Sequence, residues 1–147
     1  MTPLPPNPAL KPLEALIGEW AVSVPEFPGS RGYTVFEWLE GGAFLRLHSE
    51  APDPAPSATL VISRDDTTED YTILHYDSRG VSRVYAMSFD DRVWKIWRQA
   101  PGFHQRFSGS MADDGSSISG AWEKSPDGSS WEHDFTLIYT RLPESHP

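Results

Sequence analysis

Two rows of side chains in this sequence could do chemistry. In "SRVYAMSFD" (82–90), Arg83, Tyr85, Met87 and Phe89 fall at alternate positions, so an extended backbone puts them on one face. That face sets one cation at the head of an apolar row. Turned into an enclosed interior, Arg83 needs a partner, either a ligand carboxylate or an internal Asp or Glu. Turned outward, it is simply solvated. In "WEHDFTLIYTR" (131–141), His133, Phe135 and Tyr139 likewise share a face. The opposite face carries Glu132, Asp134, Thr136 and Thr140, and the acidic pair is costly to bury unpaired. The His133 face is therefore expected to look inward. With Trp122 from "SISGAWEK" (117–124), these residues form the candidate lining of a ligand pocket.

Other chemistries have less support. His48, His75 and His104 each have Ser, Asp or Glu nearby, but none sits in a nucleophile elbow or a His-Glu-x-x-His helix. A metal site would need two or three of His48, His75, His104 and His133 to converge, and no short ligand spacing demands it. The chain has no cysteine, which removes disulfides, thiol nucleophiles and thiolate ligands. No catalytic residue is assigned and no cofactor is required.

The elements that position these rows are strands. Beyond residue 18 the sequence keeps a period of two, broken by turns every ten or so positions. Ten runs are expected to be strands: 19–24, 33–39, 43–49, 58–64, 71–77, 82–90, 93–99, 105–111, 117–124 and 131–141. "DSRG", "DDR", "ADDG" and "SPDG" supply compact hairpin turns, and the proline-rich "APDPAP" (51–56) a longer loop. Ten short antiparallel strands, each with one apolar face, must stack as two sheets or close as a barrel. The 147 residues suit a single domain. Residues 1–9 are expected to be a proline-rich arm, 10–142 the barrel, and 143–147 a tail.

A formal net charge of −9 disfavours nucleic acid, which demands a positive face. The basic and aromatic stretch "WKIWRQAPGFHQRF" (94–107) reads as two strands joined by Ala100-Pro101-Gly102. No apolar run approaches the ~18 residues a membrane span requires, and no signal peptide is evident. A cytoplasmic location is the default expectation. A small apolar molecule is the expected partner, with a homodimer left open.

"PLEALIGEW" (12–20) begins a resemblance to known proteins. A short helix, then Gly18-x-Trp20 opening the first strand, with Arg141 near the end of the last, resembles the calycin signature of lipocalins, fatty-acid-binding proteins and nitrobindins. The order of "GGAFL" (41–45), "YDSRG" (76–80) and "DGSSW" (127–131) is similar to a bacterial group of lipocalin-like domains of unknown function. The resemblance implies an all-β, ten-stranded antiparallel meander barrel closed at one end by the N-terminal helix. Gly18, Trp20 and Arg141 would form the plug, with the guanidinium on the indole. Three functional readings follow: an apolar ligand inside the barrel, ferric haem held axially by His133 as in nitrobindins, or a filled barrel acting through its surface.

Overall fold

The computed structural model describes residues 7–52 and 55–143. Ten strands form in chain order: β1 Gly18–Ser23, β2 Arg31–Leu39, β3 Phe44–Glu50, β4 Ala58–Arg64 and β5 Tyr71–Asp77, then β6 Ser82–Asp90, β7 Val93–Arg98, β8 His104–Met111, β9 Ser117–Ser125 and β10 Glu132–Arg141. Each pairs antiparallel with its sequence neighbours, and β10 returns to β1, closing the barrel. Closure leaves no unpaired edge to recruit another chain. The 94–107 stretch is β7, β8 and the turn between them.

In such a meander, successive connections alternate between the two ends. One end is plugged by a 3₁₀ helix, Pro8–Leu16, capped by Asn7, whose Oδ1 accepts from the Ala9 N–H at 3.0 Å. Pro8 stands at the first helical position, where no amide donor is needed, whereas Pro12 lies inside the helix and lacks the donor an α-helix would use there. A period of three then puts Leu10, Leu13 and Leu16 on one side, and all three are fully buried. The Tyr71 hydroxyl donates to Ala9 O at 2.8 Å and the Asn7 N–H to Gly42 O at 2.9 Å, tying the helix to the wall. The helix thus takes in residues 8 and 9, which the sequence assigned to the arm. The rest of that arm (1–6) and most of the tail (144–147) lie outside the described residues.

Trp20 is the centre of the plug. It is fully buried, and its Nε1 donates to Leu16 O at 3.0 Å. The Arg141 guanidinium sits 4.1 Å over its ring and donates to Gly115 O, Ile17 O and Ala15 O at 3.0, 2.6 and 2.6 Å. Gly18 makes this possible: its φ is +130°, and a Cβ there would stand 2.9 Å from Arg141 Nη1.

β10 does not alternate uniformly. His133 pairs with Glu123 and Phe135 with Trp122, so Asp134 is the extra residue of a β-bulge. One inserted residue reverses which face of a strand looks inward. Phe135, Leu137 and Tyr139 face the interior, and His133 does not.

Candidate functional site

The end opposite the plug opens into a cavity of about 510 Å³, within the usual range for small-molecule sites. Its floor is Trp94, Ile96, Phe107, Leu137 and Tyr139, and its mouth includes Val24, Ser30, Pro56, Arg79 and Phe103 from the loops. The floor residues come from β7, β8 and β10, whose inward faces converge inside the barrel. Trp94 meets Phe107 at 5.2 Å and Tyr139 at 5.7 Å between ring centroids, edge-on or tilted. The Trp94 indole N–H is buried with no hydrogen-bond partner among the described residues. Burial pushes the Tyr139 hydroxyl pKa up, so it stays a neutral donor.

Polar groups gather nearer the mouth. The Tyr85 hydroxyl donates to Gln105 Oε1 at 2.8 Å, and Arg83 Nη1 donates to the same oxygen at 3.4 Å. Arg83 also lies 5.6 Å over the Phe103 ring. On the neighbouring strand His75 is bonded to Asp77 at 3.0 Å, and Arg79 meets the same carboxylate at 2.7 Å. Hydrogen bonds from Arg79 and then His75 hold the Asp77 carboxyl well below the usual carboxylate range.

Of the candidate pocket residues, Arg83, Tyr85, Trp122, Phe135 and Tyr139 line this cavity. Met87 and Phe89 share the inward face of β6 but pack into the core outside the cavity lining. β6 runs from the mouth toward the plug, so its later residues end in solid core. His133 is a correction. Its Nε2 lies 2.7 Å from Glu26 Oε2 on the outer surface, because the bulge at Asp134 reverses the expected face. Asp134 lines the cavity instead, 3.8 Å from Lys124.

The haem reading therefore loses its ligand. An axial histidine must present a free ring nitrogen to the interior, and His133 points at a carboxylate outside it. Among the described residues the other histidines do not gather: His48 bonds Thr59 and Glu50, His75 is bonded to Asp77, and His104 Nδ1 accepts from the Ala100 N–H. Residues here do not fit a haem held through His133.

The outward His133 has a structural task. Glu26, on the β1–β2 loop, accepts from the Thr136 N–H at 3.0 Å and the Thr136 hydroxyl at 2.7 Å, besides meeting His133. One carboxylate thus fastens a mouth loop to β10. These hydrogen bonds, that with His133 foremost, lower its pKa from 4.5 to about 2. A depressed carboxylate pKa contributes stability above its unfolded value and loses it as pH falls through the folded one. Glu26→Gln should thus lower the urea midpoint at pH 7, with the gap from wild type closing between pH 4.5 and 2. A gap unchanged at pH 2 would show that the charge of Glu26 plays no part.

Trp94, Phe107 and Gln105 were not singled out as pocket residues by sequence, and His75 was weighed only for hydrolysis and metal binding. A signal for the first two was present: Lys95 and Arg106 mark the wet faces of β7 and β8, leaving Trp94, Ile96 and Phe107 inward.

Fold and site together define a closed ten-stranded antiparallel barrel, plugged at one end and hollow at the other. The chain is similar to the crystal structure of Rv2717c from Mycobacterium tuberculosis, with a TM-score of 0.68 and 16% identity over 94% of this chain and 99% of that one. At that identity the likeness establishes the fold alone. No family model and no curated protein matches the chain.

Proposed function

We propose that this barrel reversibly binds one small, mainly apolar molecule in the cavity at its open end. The observation that carries the reading is the cavity of about 510 Å³ whose floor is Trp94, Ile96, Phe107, Leu137 and Tyr139. Close-packed interiors rarely leave voids larger than a water molecule, and an apolar hollow of this size suits a guest better than solvent. A barrel acting only through its surface has no use for such a space. Trp94 and Trp122 are built-in reporters, because a guest on the floor must touch one or both. Titration with 2-naphthamide, a neutral ring compound, should change tryptophan fluorescence saturably at one molecule per chain. A change that stays linear with concentration, or none, for this amide and equally for its acid and for a straight-chain fatty acid would overturn the proposal.

A further inference from the structure

We infer that the preferred guest is an aromatic carboxylate, its ring system lying along the aromatic wall and its carboxylate meeting Arg83. This deepens the proposal above and rests on it. Five lining residues form an unbroken row: Tyr139, Trp94, Phe107, Trp122 and Tyr85, with successive ring centroids 5.7, 5.2, 5.4 and 5.9 Å apart. The row climbs from the floor and ends at Tyr85, whose hydroxyl shares the Gln105 oxygen with Arg83. Flat rings gain edge-on and offset contacts from such a wall that a saturated chain cannot.

Arg83 is the cation left over. Arg79 is engaged by Asp77 at 2.7 Å, and the lining carboxylates Glu50 and Asp134 stand 3.3 Å from His48 and 3.8 Å from Lys124. Those two carboxylates belong to β3 and β10, each separated from β6 by at least two intervening strands. Among the described residues Arg83 has no carboxylate within salt-bridge distance; its contacts are a 3.4 Å hydrogen bond to a neutral amide and the face of Phe103 at 5.6 Å, neither of which neutralises its charge. A guanidinium offers five donors in a planar fork suited to a carboxylate, and one amide oxygen leaves most of them unused. The net charge of −9 opposes an anion at long range. At 0.15 M salt, however, that field is screened beyond about 8 Å, and the local guanidinium decides.

The test compares naphthalene-2-carboxylate, its neutral isostere 2-naphthamide, and decanoate, each by tryptophan fluorescence and calorimetry at 0.15 M salt. The naphthoate should bind about 10–100-fold more tightly than the amide, as expected for charge-assisted hydrogen bonds in a partly desolvated site. It should also bind more tightly than decanoate. Arg83→Gln should abolish the preference for acid over amide, and Arg83→Lys should restore part of it. Equal affinity for naphthoate and naphthamide in the wild type would overturn the carboxylate assignment while leaving the apolar cavity in place. Decanoate matching naphthoate would overturn the aromatic assignment. Failure of all three to bind would overturn the proposed function itself. The wild-type comparison stands even if an Arg83 variant does not fold.

Discussion

Trp20→Ala should destabilise the protein by about 3–5 kcal/mol, the cost of deleting a fully buried large aromatic. That corresponds to a melting temperature roughly 10–20 °C lower. The loss has three sources. The ring fills the plugged end beneath Leu10, Leu13 and Leu16, its N–H satisfies Leu16 O, and its face carries the Arg141 guanidinium at 4.1 Å. Removing it leaves a cavity that the closed barrel cannot collapse to fill, because every strand is held on both sides. Arg141→Ala should cost less: its bond to Ala15 O is exposed and those to Gly115 O and Ile17 O are only part-buried, so water can take over some of what it serves. The two losses should fall short of additivity by about 0.5–3 kcal/mol, since both variants remove the same contact. Denaturant titration of the four proteins in the cycle measures this term, and additivity would show that the guanidinium and the indole act independently.

Trp20 and Arg141 also mark how far the sequence could be followed. Gly18-x-Trp20 and Arg141 stand 121 positions apart, and only a resemblance to other barrels joins them. Once joined, each residue explains the others through sterics and charge. Strand existence was legible throughout because charged residues such as Lys95 and Arg106 alternate with Trp94, Ile96 and Phe107, and period two survives any fold. The direction of the last strand was not. Its alternation looks regular from Trp131 to Arg141, yet one unpaired residue, Asp134, reverses the face at its beginning. A bulge is a property of the pairing between β9 and β10, so no pattern within β10 alone reveals it. His133 was misplaced for that reason. The depth of the cavity was hidden in a similar way. Met87 and Tyr85 are equally inward on β6, and only the position of the helix plug decides that one meets solid core and the other open space.

Leu137→Trp should abolish binding of naphthoate and naphthamide while leaving the barrel intact. Leu137 lines the floor between Phe135 and Tyr139 on β10, directly opposite Gly120 on β9. An indole at this position projects into the cavity of about 510 Å³ rather than into the packed plug. Overpacking normally costs about 1–3 kcal/mol because surrounding side chains are forced off their rotamers. Here the added atoms enter existing space, so stability should hold or rise by up to about 1 kcal/mol, the usual result of filling a cavity. Leu60→Phe, from the wall on β4, provides a second route to the same end and does not depend on the bulge. The contrast carries the argument: a void that only reflects imperfect packing would be improved by filling at no functional loss, whereas a binding cavity trades stability for its guest. Ligand affinity reduced at least about 100-fold with an unchanged or higher melting temperature is the expected pair of results. Retained affinity in both filled variants would place the guest elsewhere on the molecule and withdraw the cavity from any functional role.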